Sequence, residues 1–158
     1  MLAFGASILS IMNINIRKAT SEDLPSIYDL VKSLAIYEKA EGAVTATLED
    51  YQKDFKAGIF QSHVAEIEEK VIGMVLYYMT YSTWKGRMLY LEDFVVYDEY
   101  RRLGIGQLLW NALIEEAKRQ DARLLKWQVL DWNEPAINFY KKNKAIIETE
   151  WHNGKIFF

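Results

Sequence analysis

The chain has 158 residues, about half of them apolar and 14% aromatic, with a formal net charge of -3 and no cysteine. That length and composition fit one packed domain. They exclude disulfides, thiolate nucleophiles and cysteine-ligated metals, and a mildly acidic chain without a long basic run argues against nucleic-acid binding while suiting a small cationic substrate.

The chain opens on Met1–Ile11, which carries no charge. It lacks the basic region of a signal peptide and is too short to span a bilayer. Residues 1–11 are therefore expected to be an over-extended or disordered start, with Met12 as the natural initiator. Residues 12–158 would form a single domain in a cytoplasmic protein with no membrane contact. Asn13–Arg17 (NINIR) alternates and reads as a strand. Thr20 and Asp23 then have capping-box spacing, and Leu24, Ile27, Tyr28, Val31 and Leu34 recur at helical intervals. A second helix runs from Thr47 to near Gly58, with Tyr51 and Phe55 on one face. HVAEIEE and VIGMVLYYMTYS read as a hairpin, TWKGR as a glycine-containing turn and MLYLEDFVV as the next strand. Gly106–Gln120 predicts an amphipathic helix with Leu108, Leu109, Ala112, Leu113 and Ala117 inward. LLKWQVL follows as a strand. NEPAINFYKKN is a short helix with Asn133 as its cap and Pro135 in its first turn. AIIETEW and KIFF read as closing strands. The expected fold class is α+β, with a mixed sheet whose strand–helix–strand units imply a parallel pair.

Three stretches can carry chemistry. In RRLGIG, Arg101–Gly106, glycines allow a sharp strand-to-helix turn, and the helix start that follows favours an anion such as phosphate. A plain tight turn would use the same glycines, and no P-loop lysine follows. Glu92 and Asp93 stand side by side in an apolar strand. Adjacent strand residues point to opposite faces, so one of them must face the core unless a bulge re-aims it. A buried charge must pair, protonate or meet water in a cleft; a solvated edge strand is the other solution. In WNEPAINFYKKN, Tyr140 could give up a proton, since its hydroxyl has a pKa near 10, or could simply pack its ring. The two histidines, His63 and His152, have no metal-ligand spacing, so no metal is expected.

The ordered set resembles the GNAT family of N-acetyltransferases. YLEDFVV, YRRLGIG and WNEPAINFYKK, with YYMTYSTWKGRMLYLEDF upstream, are similar to its diamine (spermidine/spermine-type) subgroup. The likeness runs from Asn13 to about Ala145. It implies a GNAT fold: a mixed central sheet flanked by helices, with a parallel strand pair splayed around acetyl-CoA. The backbone of Arg102, Leu103, Gly104, Ile105, Gly106 and Gln107 would cradle the pyrophosphate, with Arg101 opening that signature. Val95 and Val96 would contact the pantetheine arm, and Asn133 would help hold the cosubstrate. Tyr140 would be the general acid beside the sulfur. Glu92 would help deprotonate the amine through water, while Asp93 and Trp84 would bind a cationic chain. The subgroup also implies a homodimer. Where the family usually has glycine, this chain has Lys144, which adds strain if that position needs positive φ.

The activity so implied is transfer of acetyl from acetyl-CoA to a primary amine of a small di- or polyamine, by direct attack. Thialysine, a lysine-like amino acid or a peptide are alternative acceptors. A non-catalytic acyl-CoA-binding module and a nucleotide-binding regulatory domain are the non-enzymatic alternatives; Tyr140 and Glu92 favour catalysis, and the missing P-loop lysine weighs against the last.

Overall fold

The computed structural model describes residues 13–158, so the expectations for residues 1–11 and Met12 lie outside it. The chain runs β1 (Asn15–Lys18), α1 (Leu24–Tyr37), α2 (Leu48–Lys56), β2 (Gln61–Ile67), β3 (Lys70–Ser82), β4 (Gly86–Val96), α3 (Ile105–Arg119), β5 (Leu124–Trp127) and α4 (Glu134–Lys142). It divides after Trp127 into two compact units, the second being Gln128–Phe158.

The first unit holds one five-stranded sheet in the order β1-β2-β3-β4-β5. All neighbours are antiparallel except β4 and β5, the expected parallel pair. That pair is short: Met88–Leu91 lies along Leu124–Trp127. From Glu92 to Val96, β4 keeps β3 as its only strand partner among the described residues. No described strand pairs with its other edge there, where the two parallel strands part.

Each face of the sheet is covered by a helix whose apolar spacing the sequence displays. Leu24, Ile27 and Leu30 of α1 bury against Val64, Val71, Met74, Leu76 and Val95. On α3, Leu109, Leu113 and Ala117 are buried, but Leu108 and Ala112 are only partly so. Glu116 takes a buried place on that helix instead, because Lys18 (3.1 Å), Arg119 (2.5 Å) and Gln120 (2.6 Å) all donate to it. Those donors hold its carboxyl at about 2, below the usual range. The predicted capping box forms, with the Thr20 N–H donating to Asp23 (2.8 Å), and a second one, not predicted, opens α2, where the Thr47 N–H donates to Asp50 (2.7 Å). The Thr20 box caps a short 3-10 turn, Ser21–Asp23, that leads into α1. Asp23 also takes a two-pronged bond from Arg17, which bridges on to Glu66.

In the second unit the Asn133 side chain caps α4 by accepting the Ala136 N–H at 3.3 Å, and Pro135 stands in the first turn. The helix closes as a Schellman motif: Ala145 donates to the Tyr140 carbonyl and Lys144 to the Lys141 carbonyl, each at 3.0 Å. Lys144 sits at φ +65°, the left-handed conformation that glycine adopts without strain. Lys144→Gly should therefore raise stability by about 1 kcal/mol, read as a higher urea midpoint at unchanged slope; a lower midpoint would mean that the lysine side chain supplies a compensating contact. The two closing strands are not formed. Neither Ala145–Trp151 nor Lys155–Phe158 joins a ladder, and Ile146, Trp151, Ile156 and Phe157 are exposed. Apolar content alone does not make a strand without a partner edge. For the same reason LLKWQVL pairs only over Leu124–Trp127.

Candidate active site

The site is organised by one irregularity in β4. Asp93 stands opposite Leu76, and Leu91 stands opposite Tyr77, so Glu92 is an extra residue in the ladder. Directly paired residues share a face. Met74 and Leu76 lie in the α1-side core, and Tyr78 follows at the same period. Their partners Val95, Asp93 and Tyr90 therefore lie on that side too. Glu92 joins them, because its carboxylate accepts a 3.0 Å bond from the Tyr78 hydroxyl. The bulge thus places two adjacent carboxylates on one side of the sheet, which regular alternation forbids.

Glu92 is exposed and Asp93 is partly buried. Burial first, and then the charges of Glu92 and Glu38, raise the Asp93 carboxyl to about 7. Glu38, just past the end of α1, is itself raised by burial. The surrounding walls are tyrosines. Tyr78 and Tyr90 stack at 5.4 Å across the strands. Tyr28 of α1 and Tyr51 of α2 meet edge to face at 5.3 Å. The Tyr51 hydroxyl is pushed up to about 12 by burial and then by Asp93, Tyr28 and Glu92. Glu92 and Glu38 both disfavour the charge on Asp93, an arrangement that a cation would relieve and that tyrosine faces also suit. Glu38, Tyr28, Tyr51, Tyr78 and Tyr90 were not read as site residues in the sequence. Tyr78 and Tyr90 are found by counting outward from the TWKGR turn; the others depend on how α1 and α2 fold over the sheet.

Trp84 is not brought to these carboxylates within one chain. It lies in the β3–β4 turn and is 85% exposed. Six residue steps of extended strand, from Gly86 to Glu92, separate the turn from the bulge by about 20 Å.

The strand-to-helix turn has the backbone features an anion requires. Gly104 is at φ +85° and Arg102 at φ +62°. The Gly104 carbonyl takes the Leu108 N–H. The opening N–H groups of a helix, from Ile105 onward here, have no acceptor four residues back and face the approach to its N-terminus. The Ile105 side chain is core, so only its backbone can serve a ligand. A Cβ added at Gly106 would make ordinary contact with Phe94, at 3.6 Å. Protein packing therefore does not demand glycine there; the expected phosphate would. Gly106→Asp should leave the melting temperature nearly unchanged, since an acidic residue suits a helix start, yet should weaken acetyl-CoA by at least about tenfold. Calorimetry giving equal affinity for both proteins would remove the phosphate assignment.

Other predicted contacts are more restricted. The Val95 side chain belongs to the α1-side core, and the Val96 carbonyl is taken by Arg101 Nε at 3.0 Å. The other backbone edge of β4 there pairs with no strand among the described residues. Beside that edge, Phe94 stacks on Trp110 at 6.3 Å, and Trp110 meets Trp127 edge to face at 5.3 Å. Gln107 donates to Asn111, and Leu103 is partly buried. Asn133 and Tyr140 belong to the second unit. There Tyr140 is buried, with its ring edge-on to Phe139 at 5.7 Å.

Comparison with known proteins agrees with this architecture. The model of the acetyltransferase (GNAT) family matches residues 24–144. A thialysine N-epsilon-acetyltransferase of Caenorhabditis elegans is 35% identical over 128 residues, covering 81% of this chain and 80% of that protein. The enzyme of that name from Bos taurus is 38% identical over 150 residues, covering 87% and 88%. A spermidine/spermine N(1)-acetyltransferase-like protein 1 of Homo sapiens is 33% identical over 149 residues, 87% of this chain but 21% of that longer protein. Among solved structures, an aminoglycoside acetyltransferase from an uncultured soil metagenomic sample superposes with a TM-score of 0.79 over 95% of this chain and 99% of its own, at 20% identity, a likeness of fold alone.

Proposed function

Because the chain belongs to the acetyltransferase (GNAT) family, whose members use acetyl-CoA, we propose that this N-acetyltransferase acetylates a primary amine of a small di- or polyamine. The observation that carries the acceptor class is the bulge, which sets Glu92 and Asp93 on one side of the sheet near Glu38. One carboxylate can receive the reacting amine while another holds a distal ammonium.

Acetyl-CoA, when bound, supplies an acetyl group activated as a thioester. The backbone of Arg102 to Gln107 would hold its phosphates at the start of α3, and the end of β4 at Val95 and Val96 would contact the pantetheine arm. Asn133 would help hold it. The chain's own groups then manage protons. An alkyl ammonium has no lone pair and cannot attack until it loses a proton. Glu92, exposed on the bulge, gives that proton a route out through water. Asp93, once ionised, anchors the distal charge. A backbone N–H of β4 can stabilise negative charge developing on the acyl oxygen. The Tyr140 hydroxyl would donate its proton to the departing sulfur. Trp84, about 20 Å along the strand from Glu92, is out of reach of a short diamine held at the bulge and could serve only the far part of a longer acceptor. The homodimer and a cytoplasmic location are part of this proposal.

A thialysine or lysine-like acceptor is the second reading, favoured by the names of the relatives at 35% and 38% identity. Coenzyme A release measured with putrescine, spermidine, lysine and thialysine separates the two. The proposal expects turnover of the diamine and polyamine. Efficient acetylation of thialysine with none of putrescine or spermidine at millimolar levels would replace it with the second reading. Binding of acetyl-CoA without turnover of any amine would leave an acyl-CoA-binding module.

A further inference from the structure

Arg101 opens the glycine turn, yet its guanidinium is already engaged by three groups of the chain itself. Its Nε donates to the Val96 carbonyl at 3.0 Å, its Nη1 pairs with Asp98 at 3.1 Å, and its guanidinium lies over the Tyr37 ring at 4.8 Å. These three contacts tie the end of β4, the start of the turn and the last residue of α1 together. Tyr37 immediately precedes Glu38, whose charge is felt at Asp93. Chain connectivity therefore makes the guanidinium a clamp between the two parts of the site. On one side it fixes the backbone leading into the phosphate turn. On the other it fixes the end of α1 that Glu38 directly follows.

We propose that Arg101 is a positioning residue that couples the cosubstrate turn to the acceptor carboxylates through Tyr37, and not a direct phosphate ligand. The inference rests on the acetyl-CoA reading above. It deepens that reading by assigning to one side chain the mutual alignment of two substrates. The geometry is specific to arginine. A planar guanidinium can stack on a ring while donating in its own plane to a carbonyl, which a lysine ammonium cannot do.

The test compares Arg101→Lys, Arg101→Gln, Tyr37→Leu and Tyr37→Phe, with melting temperatures checked for each. Acetyl-CoA affinity is measured by calorimetry, and KM and kcat for the acceptor at saturating acetyl-CoA. The coupling predicts that Arg101→Lys behaves like Arg101→Gln, both weakening acetyl-CoA by about tenfold or more, the scale of one charge-assisted hydrogen bond. Tyr37→Leu, though remote from the turn, should weaken acetyl-CoA in the same direction, and the double variant should be less than additive. Acceptor KM should rise several-fold in all of these with kcat little changed, and Tyr37→Phe, which keeps the ring face, should restore it. A direct phosphate ligand behaves otherwise: Lys rescues Gln, Tyr37→Leu leaves acetyl-CoA affinity alone, and acceptor KM stays put. That pattern would overturn the proposal. If the Arg101 variants unfold, the Tyr37 pair decides the question alone. If the wild-type protein binds no acetyl-CoA, the underlying reading falls before the clamp is tested.

Discussion

Asp93→Asn should lower kcat/KM for a diamine by about 10- to 100-fold at pH 8, the scale of losing one partner of a charge pair in a partly buried site. The same variant should unfold at a higher temperature than the wild type at pH 8. The two effects have one cause. The Asp93 carboxyl is raised to about 7 in the folded chain, above its ordinary value of 3.8. Its contribution to stability is therefore full below the ordinary value and is lost as pH rises through about 7. Above that pH the folded protein holds an ionised carboxylate that burial and two neighbouring carboxylates disfavour. Asparagine removes the cost, worth about 1–3 kcal/mol after allowing for partial solvent exposure. At pH 4 the two proteins should melt nearly together. Activity runs the other way: an ammonium needs the ionised form, so wild-type kcat/KM should rise through about pH 7, and that limb should flatten in the variant. If Asp93→Asn is destabilising at pH 8 and keeps the diamine activity, the residue is structural.

The second large effect concerns the acid. Tyr140→Phe should lower kcat by about 10- to 10⁴-fold, the range for one positioned proton donor, with acetyl-CoA affinity little altered. The ring stays buried beside Phe139, and the Schellman closure uses the Tyr140 carbonyl, which phenylalanine retains. The helix should therefore be preserved, so a drop in kcat reports the hydroxyl. Unchanged kcat with the chemical step shown to limit turnover would leave Tyr140 as packing.

Much of this was legible in the sequence where the signal is local. Thr20 with Asp23, Thr47 with Asp50 and Asn133 ahead of Pro135 announce helix starts because a cap is satisfied within three residues. The conflict at Glu92 and Asp93 was legible as a conflict, since two adjacent carboxylates cannot share a face of a regular strand. Its resolution needed the partner strand, because only the pairing of Leu76 with Asp93 and Tyr77 with Leu91 reveals the extra residue. Glu38, Tyr28 and Tyr51 were not legible: each sits in an ordinary helical pattern and reaches the site only by tertiary folding. Glu116 is the same case in the core: its spacing from Leu109 and Leu113 puts it on the buried face, but its partner Lys18, 98 residues away, is found only in the fold. AIIETEW and KIFF failed in the opposite direction, since strand-like composition carries no information about whether an edge is available.

The central claim is that the β4 bulge builds a site for an amine with a second positive charge. It is tested most directly by kcat/KM for 1,4-diaminobutane against butylamine, a pair matched in length, each measured at low and high salt near pH 8. The account predicts a preference for the diamine of at least about tenfold, one well-placed charge interaction, that narrows as salt is added. Equal values for the two amines, unmoved by salt, would contradict it.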